Sequence, residues 1–257
     1  MGDSDLAQAW LTALDERHLA DLTQPEVTRA LRALSSCYVE RREKLARGGA
    51  LDGAGKRAAF ALFYGPQHFF VAREIWRALA ASAGRAPRTI LDLGCGTGTA
   101  GAAIALDTGA AVEGHDLNPW AVAEANWTYR ALRLRGRAIV SNIRNTAINP
   151  ATDRLVLAAY SVNELPEDVR AALLRKLADA HRRGAAVLVI EPIGRRVNLW
   201  WSEWRTAVTA AGGREDEWRF RVPLPPRQRL LAKGAGLDVQ ELTAKTLFMP
   251  GVRLKAG

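Results

Sequence analysis

Cysteine is scarce in this chain, and its scarcity excludes several kinds of site. Only Cys37 and Cys95 occur among 257 residues, and they form no paired motif. A cysteine-ligated zinc or iron–sulfur site is therefore excluded, and nothing indicates an oxidising compartment. Long apolar runs are also missing, since a run such as Ala185 to Ile190 is far too short to span a bilayer.

The chain also lacks a signal-peptide pattern, because its first residues are acidic rather than basic. We therefore expect a cytoplasmic protein with no membrane segment and no bound metal. The composition, 48% hydrophobic and 25% charged, is typical of a globular protein and excludes disorder and collagen-like repeats.

Lysine is rare, yet the net charge is +9, because Arg supplies 30 of the 36 basic residues. Residues 191–257 carry 12 basic and 7 acidic groups, which is more than half of the whole excess. Such an excess favours a phosphate-bearing partner that meets the C-terminal part. The abundance of Arg and Ala is also typical of a GC-rich coding bias, which leaves a merely basic surface as the alternative.

Hydrophobic periodicity divides the chain into two parts. Residues 1–85 have apolar positions at three- and four-residue offsets and predict a helical cap region, broken at Gly65-Pro66 and resuming near His68. Residues 86–257 alternate short apolar strands with helical segments, which predicts an α/β domain with a mostly parallel sheet. The predicted strands lie near residues 87–93, 111–116, 138–140, 155–160 and 185–191, and the predicted helices at 99–108, 119–134, 167–183 and 198–211.

A glycine-rich loop follows the first predicted strand. Gly94, Gly96 and Gly98 alternate with other residues just before a predicted helix, so the backbone can approach a ligand closely beside free helical N–H groups. The same loop also satisfies a dinucleotide fingerprint, which is a weak signal by itself. Asp92 decides between the two ligands, because its carboxylate would repel a pyrophosphate but suits the cationic amine and sulfonium of S-adenosylmethionine.

Polar residues at the next two strand ends extend this site. Asp116 follows the second strand, about 20 residues after the loop, where a carboxylate can accept hydrogen bonds from ribose hydroxyls. A helix N-cap is the alternative for Asp116, although Asn118 could be that cap instead. Ser141 and Asn142 end the third strand, where a polar group can meet an adenine amino group or simply form a turn.

The pattern of Asp92, the three glycines and Asp116 resembles the class I S-adenosylmethionine-dependent methyltransferases over about residues 86–250. The resemblance implies a Rossmann-like fold, with residues 86–257 as the S-adenosylmethionine-binding domain. The residues it implies for cofactor binding are Asp92, Gly94, Cys95, Gly96, Gly98, Asp116, Leu117, Ser141, Asn142 and Tyr160.

A narrower resemblance is to the Rsm22 family, methyltransferase-like proteins associated with the small ribosomal subunit. Four segments carry it, at residues 38–42, 59–68, 159–165 and 190–194. Family members with an iron–sulfur cluster have several cysteines in the C-terminal half, whereas none follows Cys95 here. The resemblance therefore implies an RNA or ribosomal partner but no cluster.

Candidate catalytic residues follow the fourth strand, where ligands of open α/β folds bind. We expect Tyr160, Asn163 and Glu164 to orient the acceptor. If the acceptor must lose a proton, Glu164 or Glu191 could serve as the base. The alternative for Glu164 is capping of the next helix.

Substrate contacts are predicted on both sides of these residues, and Glu191 is predicted to be one of these contacts. Tyr64 and His68 would form a lid from the helical region, with His68 as a contact rather than a base. Arg195 and Arg196 would grip phosphates, while the nearby Trp200, Trp201 and Trp204 are interpreted as core.

Three functions remain open from the sequence. The first is a methyltransferase acting on RNA or a ribosomal component, and the second is a small-molecule methyltransferase. The third is a non-catalytic, cofactor-binding ribosome assembly factor. Residues alone do not separate these, since one fold carries many chemistries.

Overall fold

The computed structural model describes residues 2–40, 51–83, 85–194, 200–237 and 239–251, with backbone alone at 37–40. The helices among them are α1 (Asp3–His18), α2 (Gln24–Glu40), α3 (Ala54–Ala59), α4 (Gly65–Leu79), α5 (Thr99–Thr108), α6 (Pro119–Ala131), α7 (Glu167–Arg182), α8 (Trp201–Ala210) and α9 (Pro226–Ala235). A π-helical turn (Phe60–Tyr64) joins α3 to α4, and a 3₁₀ turn (Val162–Glu164) precedes α7. None of the helices described is both long and apolar enough to cross a membrane.

The strands form one sheet of mixed direction. They are β1 (Thr89–Leu93), β2 (Ala111–Asp116), β3 (Gly136–Val140), β4 (Arg154–Ala159), β5 (Ala186–Glu191), β6 (Arg214–Phe220) and β7 (Leu242–Met249). Their order is β3-β2-β1-β4-β5-β7-β6, in which β1 to β5 are parallel and β7 is antiparallel to both neighbours. The predicted mostly parallel sheet is confirmed. Because β1 to β5 run in the same direction, their last residues meet at one edge, here called the carboxyl edge, and their first residues at the opposite amino edge.

Alternation along the strands separates two apolar layers. Ile90, Leu155 and Leu188 belong to one core, which also contains Trp10, Leu31 and Phe69 of the N-terminal helices. Leu91, Val156 and Val187 belong to the other core, under α7 and α8. The period of two residues in a strand produces this division. The N-terminal helices therefore share a hydrophobic core with the sheet.

The helix break predicted at Gly65-Pro66 is wrong. The chain stays helical from Ala54 to Leu79, and the Gly65 N–H donates to the carbonyl of Phe60, five residues earlier. Pro66 lies in the first turn of α4, where its missing N–H costs little. The wider π-helical turn thus accommodates the proline without ending the helix.

Sequence periodicity also missed the last two strands and α9. The β6 segment is mostly charged, and only Trp218 and Phe220 are apolar within it. An edge strand buries little surface, so its apolar alternation is weak. The predicted helix 119–134 ends earlier, at Ala131, and the helix predicted from Asn198 begins at Trp201, with residues 195–199 outside the described part.

Candidate functional site

The glycine loop between β1 and α5 needs glycine at two positions for steric reasons. Gly94 and Gly98 have φ of +71° and +75°, a region that other residues rarely adopt. A Cβ at Gly94 would collide with Ser161 Cβ, and one at Gly98 would lie 2.8 Å from the Tyr129 ring. A side chain at Gly94 would therefore clash with the turn after β4, and one at Gly98 with α6. The loop can pass these two positions only as glycine.

Asp92 and Thr97 lie buried around this loop. The Oδ2 of Asp92 accepts a hydrogen bond from the Gly101 N–H at 3.2 Å, near the first turn of α5. Its Oδ1 and the Oγ1 of Thr97 have no partner among the residues described. Burial raises the pKa of Asp92 to about 7. Buried polar atoms without partners are costly, so both atoms favour a bound ligand that supplies hydrogen bonds.

Cys95 contributes its backbone rather than its thiol. Its N–H donates to the carbonyl of His115 at 3.0 Å. Its Sγ would lie 2.8 Å from a Cβ at Gly114 and is close to Tyr129. Burial raises the pKa of this thiol well above its ordinary value, so Cys95 is unsuited to nucleophilic or redox chemistry.

Asp116 lies at the carboxyl edge and holds the loop. Its Oδ2 accepts from the Gly96 N–H at 2.9 Å and its Oδ1 from the Asn118 N–H at 2.8 Å. Asn118 is the N-cap of α6, accepting from Trp120 at 3.0 Å and Ala121 at 3.3 Å, so the cap interpretation of Asp116 is wrong. Each carboxylate oxygen has a second lone pair, which leaves Asp116 able to accept from a ligand. Burial raises its pKa.

Two exposed apolar side chains stand beside Asp116. Leu117 is 59% exposed and Val140, paired in register with Asp116, is 57% exposed. Together they offer an apolar surface suited to a flat ring. Sequence reasoning included Leu117 but missed Val140, although an apolar residue ending a strand is the available signal.

Ser141 and Asn142 continue this edge and mainly organise a turn. The Asn142 Oδ1 accepts from the Arg144 N–H at 2.9 Å, and the Ser141 Oγ lies 3.3 Å from Thr146 Oγ1. The Ser141 N–H donates to the Asp116 carbonyl at 2.9 Å. Asn142 therefore forms a turn, which was the alternative to an adenine contact. Ser141 follows Val140 of the exposed apolar pair directly in the chain.

An aromatic wall, made of Phe60, Tyr64, His68 and Tyr160, connects the helical region to β4. The rings of His68 and Tyr160 stack at 4.0 Å and 13°. The Phe60 and Tyr64 rings lie 6.1 and 6.3 Å from His68. Phe60 also reaches the glycine loop, since a Cβ at Gly96 would lie 4.0 Å from its Cζ. The π-helical turn, a feature frequent at functional sites, brings this wall over the loop.

The electrostatic state of the wall is neutral at pH 7. Burial lowers the pKa of His68 to about 4 and raises that of Tyr160. Tyr64 lies 2.9 Å from the Ser35 hydroxyl, and burial raises its pKa as well. The structure places Tyr64 beside His68 and His68 beside Tyr160, and the predicted role of Tyr64 and His68 as a lid that contacts the substrate stays a prediction. Phe60 is an additional member of the wall that sequence reasoning missed.

The turn after β4 is held by a buried carboxylate. Glu191 is fully buried, and its Oε1 accepts from the N–H groups of Val162 at 3.0 Å and Asn163 at 3.2 Å. Its Oε2 accepts from the Asn163 side-chain amide, whose Oδ1 accepts from the Trp200 indole at 2.9 Å. Burial raises the pKa of Glu191 to about 8, and the two backbone donors oppose that shift. Glu191 is thus placed to position the turn rather than to meet solvent.

Glu164 ends the same turn but remains exposed. The surrounding protein, and secondarily the charge of Asp116, raises the pKa of Glu164 to about 7, although the side chain keeps access to solvent. The N-cap position of α7 is Pro166 and has no side-chain cap bond, so the capping interpretation of Glu164 is wrong. Tyr160, with φ of +57°, adopts a backbone conformation that non-glycine residues reach only where packing imposes it.

The remaining predictions concern the segment after β5. Arg195 and Arg196 lie outside the described residues. Trp201 and Trp204 are buried in the second core, as predicted, whereas Trp200 is half-buried and joins the Asn163 network. No group of three or more His, Cys, Asp or Glu side chains suited to a metal occurs in the part of the chain that the structure covers.

One family model matches the segment that carries the glycine loop. The family model described as a methyltransferase domain matches residues 90–184. Residues 90–184 form the segment of this chain that is similar to such a domain. Within it lie the glycine loop, Asp116 and the turn after β4, and the match favours a methyl donor over a dinucleotide at this loop. No curated protein matches the chain.

Solved structures of the plantazolicin methyltransferase BpumL resemble this chain. One in complex with SAH has a TM-score of 0.52 and 14% identity, covering 93% of this chain and 99% of that one. Another, in complex with a monoazolic desmethylPZN analog and SAH, has a TM-score of 0.51 and 13% identity, covering 88% and 97%. At this identity the likeness shows the fold alone. The predicted Rossmann-like methyltransferase fold, preceded by helices, is confirmed.

Proposed function

We propose that this protein binds S-adenosylmethionine at the glycine loop and transfers its methyl group to an acceptor at the carboxyl edge. The observation that carries the proposal is the backbone-lined loop with two orphaned buried polar atoms, Asp92 Oδ1 and Thr97 Oγ1, beside Asp116. When bound, S-adenosylmethionine supplies an electrophilic methyl group on a sulfonium. The family match and the SAH-bound structural neighbours support the same donor.

The residues present fit that cofactor. Asp116 would accept hydrogen bonds from the ribose, and the exposed pair Leu117 and Val140 would cover the adenine ring. The unpaired atoms of Asp92 and Thr97 would receive partners at the methionine end. Gly94, Gly96 and Gly98 would allow close approach of the backbone.

The acceptor site proposed here lies between the aromatic wall and Glu164. A neutral wall of stacked rings suits a planar acceptor, because flat rings gain contact area and favourable ring geometry there. Positioning a nucleophile beside the donor supplies much of the rate enhancement in such a transfer. Glu164, with a pKa of about 7, can accept the proton that the acceptor loses.

Glu191 and Asn163 act as positioning residues in this proposal. They fix the turn that presents Glu164 and tie it to Trp200. A nucleobase and an aromatic metabolite both have the flat ring that can stack on the aromatic wall. The basic composition and the resemblance to the Rsm22 family favour RNA, or a ribosomal component that contains it, as the acceptor. We prefer enzymatic transfer over the assembly-factor hypothesis because Glu164 is exposed at the carboxyl edge and does not cap α7.

Calorimetry with S-adenosylmethionine and NAD tests the donor. Asp116→Ala removes a charge-assisted partner worth about 1.5 to 3 kcal/mol, so we expect S-adenosylmethionine affinity to fall roughly tenfold or more. Incubation with labelled S-adenosylmethionine and separate RNA, protein and metabolite fractions tests the acceptor. Stronger binding of NAD, or no labelled product from any fraction, would contradict the donor or the enzymatic assignment respectively.

A further inference from the structure

The amino edge of the sheet, opposite the proposed methyl-transfer site, carries a row of arginines. Arg88 precedes β1, Arg154 begins β4, and Arg135 precedes β3. Parallel pairing places these strand starts side by side, since Thr89 is in register with Arg154 and Val112 with Gly136. The arginine edge consists of Arg88, Arg130, Arg133, Arg135, Arg137, Arg154, Arg182 and Arg183.

Most of these side chains are directed to solvent. Arg88 is 74% exposed at its side chain, and Arg182 and Arg183 are 70% and 63% exposed. The four arginines between residues 130 and 137 are exposed as well, and no acidic residue interrupts them. Arg154 is half-buried and bonds Asn149 and Thr89.

Few carboxylates balance this charge. Asp153 lies 3.9 Å from Arg88, and the single Asp179 serves both Arg182 and Arg183 at 3.1 and 3.8 Å. Glu113 is in register with Arg137 but pairs with His115 at 3.0 Å. No ion pair involves Arg130, Arg133, Arg135 or Arg137 within the described part of the chain, and Arg135 donates to the Gly109 carbonyl at 2.9 Å.

The two edges differ in charge. The carboxyl edge presents Asp116, Glu164 and the buried Glu191 beside the basic Lys245 and the paired Arg144, whereas the amino edge presents arginines at or near the starts of β3, β1, β4 and β5. Strands lie about 4.8 Å apart, so this row extends roughly 20 Å. Strand lengths of five or six residues separate the two edges by a similar distance, about 17 to 20 Å.

We propose that the arginine edge binds the phosphodiester backbone of a nucleic acid. Guanidinium groups bind phosphate oxygens bidentately and are less strongly hydrated than ammonium groups, which suits repeated phosphates along a row. An anionic membrane fits less well, because the exposed large apolar residues in the described part of the chain, Leu117, Val140 and Leu230, all lie away from this edge. The partner is held independently of the proposed methyl transfer, so this inference does not rest on that function.

Fluorescence anisotropy with a labelled RNA hairpin, and with DNA of the same sequence, tests the proposal across a salt series. The edge variant replaces Arg130, Arg133 and Arg137 with Gln. The matched control replaces three exposed arginines elsewhere, Arg29, Arg175 and Arg219, and so changes the net charge equally. S-adenosylmethionine calorimetry and thermal unfolding on every variant confirm that folding is retained.

We expect the edge variant to bind the hairpin at least about tenfold more weakly at 0.1 M salt. Its plot of log affinity against log salt should flatten by about two to three units, close to one for each phosphate that the variant no longer binds. The control should keep most of the affinity and the slope. Preference for RNA over DNA, or the reverse, identifies which nucleic acid carries the phosphates.

Three results would overturn the proposal. Equal losses in the edge and control variants would show that overall charge, not this surface, attracts the ligand. Undiminished binding by the edge variant would place the binding surface elsewhere. Polyglutamate or phosphatidylserine vesicles that displace the hairpin from wild type at equal charge concentration would show an acidic-protein or lipid partner instead.

Discussion

At the scale of single residues, the glycine loop offers a matched pair of substitutions. Gly98 and Gly109 have φ of +75° and +70°, but a Cβ at Gly98 would meet Tyr129 at 2.8 Å whereas one at Gly109 would meet nothing within 4 Å. Ala at either position has a conformational cost of about 1 to 2 kcal/mol. We therefore expect Gly98→Ala to be the more destabilising and to weaken S-adenosylmethionine binding, while Gly109→Ala keeps the affinity.

Urea unfolding and calorimetry measure both quantities for the two variants. Equal destabilisation of the two variants, with unchanged cofactor affinity in Gly98→Ala, would show that the loop adapts to a side chain. It would contradict the proposal that the loop backbone at Gly98 approaches S-adenosylmethionine closely.

Glu164 is the second residue whose chemistry can be tested directly. A base with a pKa of about 7 is protonated in acid, so kcat/KM should rise with pH and reach a plateau above about pH 8. Glu164→Gln should lower kcat and remove this rise, because the amide cannot accept a proton, while cofactor affinity changes little. A pH profile that Glu164→Gln leaves intact would exclude Glu164 as the base.

At the scale of secondary-structure elements, α1 is fastened to α6 by a buried acid. The Glu124 carboxylate is 2% exposed, accepts from Arg17 Nε at 3.1 Å, and lies 2.8 Å from His18 Nε2. Arg17→Ala with His18→Ala would leave Glu124 buried and unpaired, which we expect to cost about 3 kcal/mol in the free energy of unfolding. Adding Glu124→Gln should recover part of this loss, because it removes the unpaired charge.

Chemical denaturation of the double and triple variants checks that expectation. If the triple variant is no more stable than the double, the loss comes from packing of α1 rather than from the carboxylate. Trp10 of α1 packs against Phe69 of α4 in the core shared with the sheet. Detachment of α1 would therefore also loosen α4, the helix that carries His68 of the aromatic wall.

At the scale of the whole molecule, buried ionisable groups set the pH dependence of stability. Asp92 and Glu191 have pKa values raised to about 7 and 8, so the folded protein retains protons that the unfolded chain loses above about pH 4 to 4.5. Their contribution therefore falls as pH rises toward 8. His68, with its pKa lowered to about 4, has the opposite effect, but only below about pH 6.5.

Glu164, with its pKa raised to about 7, contributes in the same sense as Asp92 and Glu191. The free energy of unfolding should thus decline from about pH 5 to pH 8 and level off above pH 8. Glu191→Gln should reduce this decline, whereas Glu203→Gln, an exposed carboxyl on α8, should not. Urea unfolding at pH 6.5 and 8 compares the three proteins. A decline of the same size in Glu191→Gln would assign the effect to other groups.

Much of the architecture could be read from local patterns. Apolar runs after Pro87 and before Gly94 predicted β1, and Thr99–Thr108 was predicted with its observed bounds. The loop glycines were predictable because positive φ and close approach require that residue type. The charged strand β6 was not predictable, because it is held by its pairing with β7 and not by buried apolar side chains of its own.

The sequence by itself determined the alternating strands and helices and the residues of the glycine loop, because both depend on neighbours along the chain. Tertiary structure alone decided that His68 stacks on Tyr160, that Glu191 is buried beneath the 162–164 turn, and that distant arginines form one edge. These features join residues tens of positions apart. Only the parallel sheet, which gathers strand starts at one edge and strand ends at the other, brings them together.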